Sequence, residues 1–138
     1  MRVRFVNIVI IIIILFLISG CYRNKEKLYY LDVSNFIKEE ATVDNVLYDE
    51  ENKSIYFWLS NIDDVYQDST FIVDGDNVNV LLQYDIINRI MIGDTITFSS
   101  APRYFGDGYC MPIIELIHNN EELLSFDEGH KNLMKRYR

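Results

Sequence analysis

The residues best equipped to recognise a ligand fall in one short stretch: Arg103, Tyr104, Phe105, Asp107 and Tyr109. Arg103 presents five N–H donors in a fixed plane, a geometry that meets a carboxylate or a phosphate. Tyr104, Phe105 and Tyr109 offer broad apolar faces, and the two tyrosines add a polar tip. Between Ser100 and Pro112 the chain carries three aromatics, two glycines and two prolines. That is more apolar surface than a connection between two strands requires. Gly106 and Gly108 let the backbone turn tightly or approach a neighbour. Two readings follow: a binding loop at the mouth of a β-structure, or a loop folded on its own aromatics with Arg103 held by Asp107.

Other chemistry is sparse. His118 and His130 are the only histidines, and neither has a Cys or a second His at ligand spacing, so no metal site is expected. Asp74-Gly75-Asp76-Asn77 begins like a calcium loop, but the fifth, sixth and twelfth positions hold Val78, Asn79 and Asp85. An EF-hand needs an oxygen ligand, a glycine and a glutamate there, so a turn is expected instead. Asp63-Asp64 and Glu39-Glu40 read as solvated pairs. There is no G-x-S-x-G elbow, no Walker loop and no Rossmann glycine set. The chain therefore gives no reason to assign catalytic residues, an enzyme activity or a cofactor.

The N-terminus is more specific. Arg2 and Arg4 precede an apolar run of fourteen residues from Phe5 to Ile18, interrupted only by Asn7. As a helix that run reaches roughly 21 Å, short of the about 20 apolar residues needed to span a bilayer. The basic start and short apolar core have the form of a secretion signal. The segment Ile18-Ser19-Gly20-Cys21 resembles the lipobox of bacterial lipoproteins. The resemblance implies diacylglyceryl transfer to Cys21, cleavage after Gly20 and a palmitate-type lipid anchor. It places the mature chain on the extracytoplasmic face of the bacterial cell membrane. The expected organisation is a signal peptide over 1–20, a lipidated tether over 21–27 and one domain over 28–138. The stretch from Ile92-Gly93-Asp94 to Leu124-Ser125-Phe126 is similar to uncharacterised small bacterial lipoproteins, a resemblance that implies no activity.

Without residues 1–20 the chain has 11 basic and 21 acidic residues, a net charge of −10. Nucleic acid is not expected as a partner; its binding is disfavoured, because it needs a basic footprint. Docking flat on an anionic membrane is disfavoured for the same reason. A basic protein or peptide partner is compatible with this charge, although acidity also serves solubility alone. With Cys21 acylated, Cys110 has no disulfide partner and reads as a small buried residue.

These residues need a scaffold. Strands are expected at Leu28–Leu31, Ala41–Tyr48 with a bulge near Asp44-Asn45, Ser54–Ser60, Thr70–Val73, Thr95–Ser100, Ile113–His118 and Leu123–Phe126. In Ser54–Ser60, Ile55, Phe57 and Leu59 face one way while Tyr56 and Trp58 face the other, so both faces are apolar. A short helix is expected over Ser34–Glu40 with Phe36 and Ile37 inward. Val78 to Ile92 fits a helical face capped by Asp76, although Val78, Val80 and Leu82 also fit a strand. The C-terminus reads as a helix capped by Ser125 and Glu128, with Phe126, His130, Leu133, Met134 and Tyr137 as its apolar stripe. The fold class is α+β, mostly β: a small OB-like barrel with a C-terminal helix behind a cleaved signal helix, with a β-sandwich as the alternative. The function that fits is a membrane-anchored ligand- or protein-binding module. The alternative is an inhibitor or immunity-type lipoprotein that blocks a basic envelope-active protein.

Overall fold

The structure, a computed structural model, describes residues 2–66, 70–102 and 110–138, with side chains from residue 7 onward. A long helix, α1 (Arg2–Leu31), leads into six strands: β1 (Ile37–Asp49), β2 (Ser54–Ser60), β3 (Phe71–Val73), β4 (Thr95–Ser100), β5 (Met111–His118) and β6 (Glu121–Leu124). Two short helices, α2 (Asp76–Leu82) and α3 (Ile86–Arg89), lie between β3 and β4, and α4 (Phe126–Met134) follows β6.

The sheet runs β3-β2-β1-β4-β5-β6, and β3 also pairs in parallel with β5. That last pairing closes five strands into a mixed barrel in the order β1-β2-β3-β5-β4. This is the expected OB-like arrangement, helices between the third and fourth strands included; the β-sandwich is set aside. Closure leaves no free edges among those five strands, and β6 extends β5 outside the ring.

β1 makes closure possible. Its first half pairs with β4, from Ile37↔Ser100 to Thr42↔Thr95, and its second half with β2, from Thr42↔Ser60 to Asp49↔Ser54. The register shifts between Val43 and Asn45, so an extra residue there bends the strand from one partner to the next. The bulge expected at Asp44-Asn45 is this one.

The interior is filled. Phe57, Phe71, Phe98 and Tyr66 are fully buried, with the Phe71 and Phe98 rings 5.1 Å apart at 73°. Val78, Leu81, Ile86 and Ile90 of the α2–α3 segment close one end of this core. Burying side chains of this kind stabilises by about 1.5–3 kcal/mol each before the entropy of ordering them. A second cluster lies outside the barrel, where Tyr30 at the end of α1 meets Ala101, Ile114, Leu133 and Tyr137. Gly129 brings α4 against β5: a Cβ on it would lie 1.8 Å from the Ile114 carbonyl oxygen.

Several expectations are corrected. Leu28–Leu31 is the last turn of α1, because Tyr30 follows the helix into the second cluster rather than pairing in the sheet. Only Val33–Asn35 turns helically, capped by Asp32, and Ile37 already pairs with Ser100 as an exposed residue. Pairing with β4 outweighs the helical spacing of Phe36 and Ile37. The Val78–Ile92 helix breaks in two at Asp85, whose φ of +52° is left-handed, and its cap is Gly75 rather than Asp76. The last hairpin stops at Leu124, and Phe126 opens α4 instead of ending a strand. Its turn, Asn119-Asn120, has φ of +52° and +62°, the two-residue connection asparagines favour.

Candidate functional site

The outer face of β1, β2 and β3 presents aromatic side chains to solvent. Strand alternation sends Ile55, Phe57 and Leu59 into the core and leaves Tyr56 and Trp58 partly exposed on the opposite face. Register sets Leu47 and Ile72 on either side of Tyr56, and Asn45 beside Trp58. Leu47 is 52% exposed. The Tyr56 and Trp58 rings lie 6.3 Å apart at a 37° tilt. A row Leu47–Tyr56–Ile72 with Trp58 behind it thus crosses three strands of a barrel whose core is already satisfied. Such a surface favours contact with flat apolar groups, with the tyrosine hydroxyl and indole N–H at its rim.

The connection between β4 and β5 begins and ends beside this face. Tyr66 donates from Oη to the Ser100 carbonyl at 2.8 Å, and Ser100 Oγ donates to the Pro112 carbonyl at 2.7 Å. The Met111 N–H donates to the Thr70 carbonyl at 2.8 Å, just before β3. The two stems are therefore fastened to each other and to β3. Tyr29 of α1 donates to the Pro102 carbonyl, which ties the first stem to the N-terminal helix. Arg103, Tyr104, Phe105, Asp107 and Tyr109 belong to this connection and lie outside the described residues.

The two histidines have structural surroundings. His118, buried at the end of β5, sets Nε2 2.9 Å from the Asp94 carboxylate, while its buried Nδ1 has no hydrogen-bond partner among the described residues. The carboxylate places the ring proton on Nε2. Asp94 is held below its ordinary pKa, first by the Met91 N–H and then by His118. His130 donates from Nε2 to the Tyr30 carbonyl at 2.7 Å and stacks on Phe126 at 12° between ring planes. Among the described residues no three His, Cys, Asp or Glu side chains converge.

Sequence reasoning missed one polar row. Lys38, Ser99 and Glu115 are register neighbours on β1, β4 and β5. Ser99 Oγ donates to Glu115, and Lys38 Nζ lies 2.9 Å from the same carboxylate. Ser99 is 2% exposed, so this row satisfies itself and offers no nucleophile to a substrate. The signal was present in the outward positions of adjacent strands, but it needed the register to be read. The Asp74–Asn77 turn holds α4 and the residues just after it: Asn77 donates to the Gly129 carbonyl at 3.0 Å, while Asp74 pairs with Arg136 and Asp76 with Lys135 at 2.5 Å.

Cys21 is exposed on α1, with Ile18 and Ser19 on the helix before it. Within Asn7–Leu31 the most apolar 18-residue stretch has a mean hydropathy of 1.9, and none of it is buried. At about 1.5 Å per residue, its thirty residues reach about 45 Å. This N-terminal apolar helix has the form of a signal or a membrane anchor. Residues 21–27, read as the tether, are helical within α1, and Arg23 donates to the Arg136 carbonyl at 2.8 Å. Comparison with protein-family models, curated proteins and solved structures finds no match to this chain.

Proposed function

We propose that this chain is an extracytoplasmic lipoprotein, held at the bacterial cell membrane through Cys21, whose OB-like barrel is a binding module. The observation that carries the reading is the aromatic face of β1–β3, displayed by a barrel whose described inward side chains form a packed core. OB-like barrels bind on the face of their second and third strands and on the loops that border it. Here the bordering β4–β5 connection is the one that holds Arg103, Tyr104, Phe105, Asp107 and Tyr109. A lipid anchor raises the local concentration of such a surface for envelope partners without adding a contact. This is a likeness of fold and surface; no catalytic role is assigned.

Capture of envelope components by the full chain tests the reading. The wild type is compared with Trp58→Ala and with the double variant Arg103→Ala/Tyr104→Ala, each first shown to unfold at the wild-type temperature. A partner that survives both variants unchanged removes the binding face and the loop together.

The inhibitor or immunity reading rests on a separate observation, the acidity of the body. Residues 28–130 carry 20 acidic and four basic side chains. A basic partner would then bind less tightly as salt screens the charges, over a length of about 8 Å at physiological ionic strength. Capture indifferent to 0.5 M salt speaks against it.

A further inference from the structure

We propose that the base of the molecule, where α1 meets the C-terminal segment, is a basic collar that docks on anionic lipid headgroups and holds the barrel end-on to the bilayer. This inference rests on the anchor reading above.

Charge is placed unevenly along the mature chain. Residues 21–27 and 131–138 together hold seven basic side chains and one acid, Glu26. All else in the mature chain, residues 28–130, is strongly acidic. The two basic segments are more than a hundred residues apart in sequence, and the fold joins them. Arg23 donates to the Arg136 carbonyl at 2.8 Å, and the Tyr30 and Tyr137 rings lie 6.4 Å apart. Gly129 seats α4 on β5 closely enough for this contact.

Two of the seven are spent within the protein, Lys135 on Asp76 and Arg136 on Asp74. Arg23, Lys25, Lys27, Lys131 and Arg138 are exposed, and among the described residues no acid lies within ion-pair distance of them. The nearest acids on α4, Asp127 and Glu128, are in its first turn, away from the junction.

Cys21 is two residues before Arg23, about 3 Å along the helix axis. Any anchor at Cys21, or through the apolar helix before it, therefore presses the collar against headgroups. Each basic group near an anionic surface favours the docked orientation roughly fivefold. Two engaged groups favour it about 25-fold, enough to hold one orientation. The acidic body is repelled from the same surface, so the two ends act in the same sense.

The full chain is placed in nanodiscs of phosphatidylcholine alone, or with 30% phosphatidylglycerol, and amide hydrogen exchange is followed. We expect exchange over 131–138 to slow at least fivefold in the anionic discs and to return to the neutral-disc rate in 0.5 M salt. The 50–53 turn should be the same in both. The variant Lys25→Glu/Lys131→Glu/Arg138→Glu should lose the protection, and the Gln set at the same positions should lose part of it, with melting temperatures close to wild type. Equal exchange in the two discs, or protection that survives charge reversal, overturns the collar while leaving the anchor intact. Failure to enter neutral discs at all removes the anchor reading, and the collar with it.

Discussion

Gly129→Ala removes the tolerance on which the seating of α4 depends. An alanine normally favours a helix interior over glycine by about 1 kcal/mol. Here the new methyl would stand 1.8 Å from the Ile114 oxygen and 2.6 Å from its carbonyl carbon. Both belong to a backbone in the middle of β5, which cannot rotate away. To reach ordinary contact, α4 has to withdraw by about 1.5 Å. That strain costs about 1–3 kcal/mol. It also loosens the buried Asn77 bond to the Gly129 carbonyl, worth about 1 kcal/mol, and pulls Leu133 and Tyr137 from their cluster. With the propensity gain subtracted, we expect a net loss of about 1–3 kcal/mol, and a melting temperature lower by about 4–12 °C for a domain of this size. Thermal unfolding of the full chain in detergent, followed by near-ultraviolet circular dichroism, measures it. Lys131→Ala on the exposed side of the same helix is the control and should change stability by under about 0.5 kcal/mol. A Gly129→Ala protein as stable as wild type, or more so, would show that α4 does not lie against β5 as described.

Further outcomes are expected. Burial, followed by the nearby charges of Glu39 and Glu26, pushes the Tyr66 and Tyr137 hydroxyls above their ordinary pKa of 10.0. The folded state then keeps those protons longer than the unfolded one, so stability is intact below pH 10 and falls as pH rises past it. Melting temperatures from pH 9 to 11.5 check this, and a flat profile refutes it. At the acid end, hydrogen bonds hold Asp32, Asp49 and Asp94 below the ordinary 3.8. Their contribution is present above that pH and is lost as pH falls below it, and Asp94→Asn should flatten part of the slope between pH 4 and 2. Trp58→Ala should weaken capture of the partner by about 30-fold, as for a buried aromatic at the centre of an interface, while leaving the melting temperature within a few degrees. Equal capture by wild type and variant would place the contact elsewhere.

Strand structure was legible in the sequence at Thr95–Ser100, where apolar and polar residues alternate, and at Ser54–Ser60, a short run apolar on both faces between polar residues. The OB-like order followed from counting those strands around one helical segment. What failed was decided by distant partners. Ile37 pairs with Ser100, and no local pattern announces that. Tyr30 follows α1 because it fills a cluster made by residues 101, 114, 133 and 137. The Lys38–Ser99–Glu115 row and the His118–Asp94 pair exist only once strands are in register. The outward aromatics Tyr56 and Trp58 were visible from alternation, but closure of the barrel was needed to show that their face is turned to solvent and not to a second sheet. The collar was half legible: the basic residues stand out at both places, and only the fold brings them together.

Intact mass spectrometry of the protein extracted from the cell membrane tests the anchor most directly. We expect a chain that starts at Cys21 and carries the added mass of a diacylglyceryl group. A chain beginning at Met1, or one that starts at Cys21 with an unmodified thiol, contradicts it.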